Sequence, residues 1–179
     1  MRIKKLDAYE FFAAFVLANL LSLLVSPGSG ASFGDSPARA FAQGLDGLYA
    51  QAARHAERRA VPVLLCPVRW IYFECDPGTD WSRGLMGFAD NDRSRHLNEG
   101  DELLRRQLPL PTYLRLRSLG QARPIRFQPG TGRVGHDAPL LLCDLRGPLR
   151  GWVLRYRNGH GFATRDAEAA ELARCRADE

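Results

Sequence analysis

Residues 9–27 read YEFFAAFVLANLLSLLVSP, and this stretch limits what the chain can be more than any other. From Leu6 to Ser26 there are 21 residues. As a helix rising about 1.5 Å per residue they would span roughly 31 Å, the thickness of a bilayer core. The run carries no charge from Phe11 to Ser26, yet Glu10 stands at its mouth, and Pro27 with GSGASFG ends it. A carboxylate at mid-membrane costs about 3 kcal/mol on insertion scales and less near the interface. A charge kept at that position is a functional candidate in want of a partner, or an acid resting in the headgroup zone. The basic start, MRIKK, favours a cytoplasmic N-terminus. A secretory signal cleaved near Ala31 competes with the membrane span, and Asp7 and Glu10 weigh mildly against it. N-terminal sequencing of the mature protein separates starts at Met1, Leu6 and Ser32.

The rest of the 179 residues suffice for one domain with a modest core. The expected division is a basic leader-like segment 1–5, a transmembrane helix 6–27, a Gly/Ser-rich hinge 28–36 and a head 37–179. Within the head, Asp35 or Ser36 is placed to cap a helix with Pro37 in its first turn. Phe41, Leu45, Leu48, Tyr49, Ala52 and Ala56 recur at helical spacing, which predicts a packing helix over 37–60. The period then changes to two, with candidate strands at 61–66, 70–73, 84–89, 102–107, 112–118, 124–128, 139–145 and 151–157. TYLRLRS and WVLRYR alternate apolar residues with Arg, as strands do with one face buried and one wet. A tail, 158–179, ends in a short helix carrying Cys175. The fold class is α+β: a membrane helix and a packing helix, then a small antiparallel sheet head.

Four cysteines, at 66, 75, 143 and 175, behind an export-like start point to disulfides. Three pairings are open. The nine-residue separation of Cys66 and Cys75 brackets PVRWIYFE, a hairpin-sized loop, which favours Cys66–Cys75 and leaves Cys143 with Cys175. Zinc fits less well, because no CxxC pair occurs and the four His show no ligand spacing to the cysteines. Asp90, Asp92 and Glu99 resemble a calcium loop faintly, without its central glycine or terminal Glu. Glu74, Asp76 and Asp80 near Trp81 read as a wet loop, and GTGRVG precedes no helix that could aim amides at phosphate. Nucleophile-elbow, P-loop and zinc-protease patterns are missing, and the GxGxxG spacing of GTGRVG stands without the following helix that a dinucleotide site needs. The expectation is a non-enzymatic protein with neither metal nor cofactor. The net charge of +5 comes from 23 Arg and two Lys against 20 acids. With no run of five like charges, that favours arginines scattered over solvated strand faces above a nucleic-acid surface.

Several pieces, read in order, resemble the GspH/FimT family of minor pseudopilins of type II secretion systems and type IV pili. They are AARHAERRAVPVLLCP (52–67), CDPGTDWSRGLMGFADND (75–92), LLRRQ (103–107), IRFQPGTGR (125–133) and LLLCDLRG (140–147). The resemblance implies a pilin-like head, a helix held in the bacterial inner membrane with the head in the periplasm, and partners that are other pilin subunits of a filament. Glu10 and Pro27 match the Glu and Pro of the family's membrane helix, so Glu10 would neutralise the amino terminus of a neighbouring subunit. In a low-dielectric bundle a paired carboxylate fixes register where an unpaired one is expensive. The match puts leader cleavage between Lys5 and Leu6, where the family's Gly is missing, leaving processing and amine methylation in question. Some members bind DNA during uptake through a basic C-terminal region. The candidates here are Arg146, Arg150, Arg155, Arg157 and Arg165, but Gly159-His160-Gly161-Phe162 departs from the family's Gly-Arg-x-Arg.

Overall fold

The computed structural model describes residues 36–69, 74–107, 109–120, 124–136 and 138–176. Leader, membrane segment and hinge lie outside them except for Ser36. Among the described residues no helix is long and apolar enough to cross a membrane.

Helix α1 (Pro37–Arg59) buries Ala38, Ala42, Leu45, Leu48, Tyr49, Ala52 and Ala56. This is the stripe that the apolar spacing predicts, with one exchange. Ala42 takes the innermost place at its turn and Phe41 stays half-buried beside it. Small residues at 38, 42, 52 and 56 let the helix lie close, while Leu45, Leu48 and Tyr49 fill the middle. The helix stops where Ala60 takes a left-handed φ of 53° and Pro62, lacking an N–H, cannot extend it.

Among the described residues nine strands divide between two antiparallel sheets. The first runs β2 (Glu74–Cys75), β1 (Val63–Arg69), β3 (Leu85–Ala89), β4 (Glu102–Gln107), and β6 (Ile125–Phe127) also pairs with β1. The second runs β5 (Leu114–Ser118), β7 (Leu140–Asp144), β8 (Arg150–Arg157), β9 (Gly161–Asp166). A short helix, α2 (Ala169–Arg174), closes the described chain. β9 falls in what the sequence reads as tail. Its backbone is recruited by β8, with Tyr156 opposite Phe162 and Arg157 opposite Gly161.

Strand β1 is buried on both sides from Val63 to Val68, which is why its sequence reads as an unbroken apolar run rather than an alternating one. Leu64, Cys66 and Val68 join Met86 and Phe88 in one cluster, against which Cys75 and Leu97 pack. The other face meets α1. The loop between β2 and β3 stitches the two sheets together. Trp81, only 1% exposed, donates its backbone N–H to the Leu116 carbonyl at 2.8 Å, Ser118 donates to Thr79 at 2.8 Å, and Asp80 bridges Arg117. These contacts cover the free edge of β5, an edge that would otherwise invite pairing with another chain. The loop after β6 is laid on α1, with Gly130 donating to the Ala56 carbonyl at 2.9 Å.

Candidate functional site

Lys5, Leu6, Glu10 and Pro27, the residues singled out for cleavage and assembly, lie outside the described residues. The cysteines lie within them. Cys66 is bonded to Cys75 on the outer side of the first sheet, and Cys143 to Cys175, which ties the end of α2 onto β7.

The five candidate arginines do not form one free cluster. Arg146, in the β7–β8 turn, is held by Asp144 through two side-chain hydrogen bonds of 3.0 and 2.7 Å and lies over the Tyr113 ring at 4.5 Å. That bond, outweighing the cost of burial, holds the Asp144 carboxyl below its ordinary range and the Arg146 guanidinium above its own. Arg150 opens β8 at the same end, opposite Asp144. Arg155 and Arg157 project from one face of β8, two residues apart, and pairing places Arg165 on that face of β9 opposite Val153. Register adds Arg115, opposite Cys143, and Arg117, opposite Leu141, to the same face.

Helix α2 covers part of this arginine face. Leu141, Cys143, Val153 and Cys175 form the contact, with Leu172 and Ala167 packed against it. Arg115 donates to the Cys175 carbonyl at 3.1 Å, and Arg174 donates to the carbonyls of Leu119 at 3.2 Å and Ser118 at 3.1 Å. Arg165 grips Glu171 with bonds of 2.8 and 2.6 Å. That grip, helped by the Glu168 amide, holds the Glu171 carboxyl down at about 2, against 4.5 ordinarily. A carboxyl depressed in the folded state stabilises above its unfolded value, and the gain fades as pH falls towards 2. The pair is surface-lying, with Arg165 49% exposed, so solvent screens it and its contribution to stability is small. In Arg165→Gln the carbon-13 titration midpoint of Glu171 is expected to return to the ordinary carboxylate range, and an unchanged midpoint would contradict the assignment.

The acidic loop after β3 gathers Asp90, Asp92 and Asp101, with ligand atoms within 4.8 Å of one another; Glu99 is replaced in this set by Asp101. Their oxygens serve the loop itself. Asp101 accepts from the amides of Asn91 and Asn98, Asp92 from Ser94 and the Asn98 side chain, and Asp90 from the Arg95 amide. The Ser94 bonds hold the Asp92 carboxyl low. Asp76 and Asp80 likewise accept from the amides of Gly78 and Ser82 two residues on, which is turn chemistry.

A different place holds polar groups that the fold leaves unanswered. Between α1, the loop at 131–133 and the β8–β9 hairpin lies a cleft of about 710 Å³, and a second of about 310 Å³ lies beyond Tyr156. Asp46 lines the first and Tyr49 the second. Among the described residues, buried Oδ1 of Asp46 and Oη of Tyr49 have no hydrogen-bond partner. Tyr49 sits in a ring cluster with Tyr156 at 4.9 Å, Phe162 at 4.7 Å and Phe127 at 5.5 Å. Burial pushes the Tyr49 phenol far up; burial, with the Asp46 charge adding to it, raises that of Tyr156. Sequence reasoning passes over Asp46, although an acid between Leu45 and Tyr49 at the edge of an apolar stripe is a signal in itself.

Two crystal structures of the type IV minor pilin FimU from Pseudomonas aeruginosa strain PAO1, in space groups P21 and P65, are similar to the chain. Each is 15% identical with a TM-score of 0.48, and the alignments cover 74% of this chain and 89% and 94% of the FimU chains. Among curated proteins none matches. The family model of the type II transport protein GspH matches residues 42–159, from the first turns of α1 to the β8–β9 hairpin. This span takes in both sheets except β9, and the protein belongs to the GspH family of pseudopilins and minor pilins, which are not enzymes.

Proposed function

We propose that the chain is a membrane-anchored minor pseudopilin or minor pilin that helps to assemble a periplasmic filament of other pilin subunits. The single observation that carries this reading is the family match over residues 42–159. Membership implies inner-membrane anchoring, and the 21-residue segment from Leu6 to Ser26, uncharged from Phe11 on, has the right length. Glu10 would meet the positive amino terminus of a neighbour in the packed bundle of N-terminal helices, and Pro27 would mark the helix's far end. The head then has an interaction role, and its two disulfides suit an oxidising compartment.

Replacing Glu10 with Ala should reduce co-purification with the other pilin subunits, and filament output, at least tenfold while the head still folds. Unchanged assembly would overturn the proposal. The DNA-uptake alternative gains nothing from the geometry, since Arg146 and Arg165 are engaged by Asp144 and Glu171 within the chain.

A further inference from the structure

We propose that the cleft between α1 and the β8–β9 hairpin takes up a cationic side chain, arginine or lysine, presented by a partner polypeptide. A buried polar atom without a partner costs free energy, so native folds rarely keep one without reason. Here two such atoms occur one helical turn apart, on Asp46 and Tyr49, and the residues that carry them line adjoining cavities. Both side chains come from the face of α1 turned to the hairpin. Both oxygens can accept a hydrogen bond, and a guanidinium or ammonium group consists only of donors.

The surroundings favour the same occupant. Tyr49, Tyr156 and Phe162 pack edge to face beside the acid, and aromatic rings next to a carboxylate attract cations. Gly161, with a φ of 73°, brings the hairpin backbone against the carboxylate without a side chain between them: a Cβ there would fall 2.9 and 3.0 Å from its two oxygens. Charge is graded with depth. Arg54, Glu57 and Arg133 on the lining are exposed and mixed in sign, whereas the inner acid, Asp46, is half-buried. The depth thus selects a cation, and the rim tolerates flanking residues of either sign. A volume of about 710 Å³ is ample for a side chain with its adjoining backbone.

This inference rests on the subunit reading only for the partner's identity, a neighbouring subunit; the chemistry of the cleft does not depend on it. The test uses the full chain, nitrogen-15 labelled, in detergent micelles, titrated with the blocked tripeptides Gly-Arg-Gly, Gly-Lys-Gly and Gly-Glu-Gly. The basic peptides should give saturable shifts at the amides of Thr131, Gly159 and Gly161. Asp46→Asn should weaken them at least tenfold with thermal stability retained, and Arg54→Ala should not weaken them. The proposal is overturned if no peptide saturates, if the acidic peptide binds more tightly, or if Asp46→Asn binds as the parent does. None of these readings involves filament assembly, so the failure of this inference and that of the Glu10 test are distinguishable.

Discussion

Replacing Cys143 and Cys175 together with Ala is expected to lower the stability of the head by about 3.7 kcal/mol, the largest loss from any pair of side chains considered. The bond spans a sequence separation of 32, and closing a loop of that size removes about 12 cal/mol/K of entropy from the unfolded chain. The Cys66–Cys75 bond, with a separation of nine, should be worth only about 2.7 kcal/mol by the same relation. The two losses should also differ in kind. Helix α2 has six residues, none of them buried, which is too short to persist without an anchor. Its hold on the sheet is Cys175, Leu172, the bonds made by Arg115 and Arg174, and the exposed Arg165–Glu171 pair. Urea unfolding of the two double variants, read by circular dichroism, measures the order. Equal midpoints, or a larger loss from the Cys66 pair, would contradict it.

Gly132→Ala should cost about 3 kcal/mol, whereas Gly130→Ala, two residues away in the same loop, should cost about 1 kcal/mol. Both glycines have left-handed φ, 61° and 74°. That shared strain accounts for the smaller figure. They differ in what a side chain would meet. Around Gly130 there is open space, but a Cβ on Gly132 would lie 2.4 Å from the Ala53 carbonyl oxygen in the middle of α1. Backbone cannot turn aside as a side chain can, so the loop would have to lift away and give up the hydrogen bond from Gly130 to Ala56. Thermal melts of the two variants decide the matter, and similar losses would show that the loop yields freely.

How far the sequence discloses this depends on whether a residue's role is set by its own neighbours or by distant ones. The stripe on α1 is local, and its 3.6-residue rhythm is plain in the sequence; only Phe41 against Ala42 misleads, because size counts as well as spacing. The alternation in GWVLRYR likewise marks β8. GFATRD has no such rhythm, and it becomes β9 because β8 offers it a partner edge. The two-residue β2 is as invisible for the same reason. At the site, the arginines of the 146–165 region read as free cations until Asp144 and Glu171 are seen to hold two of them. Asp46 is hidden in the opposite sense: it looks like an ordinary solvated helix acid, and its isolation appears only when the hairpin folds over it.

The two sulfur bridges follow one another along the chain and neither encloses nor crosses the other. A head that emerges from its membrane-proximal end therefore presents its thiols in the order in which they must couple. Each newly emerged pair can be oxidised before the next arrives, which makes the native connectivity the one reached by coupling neighbours in turn.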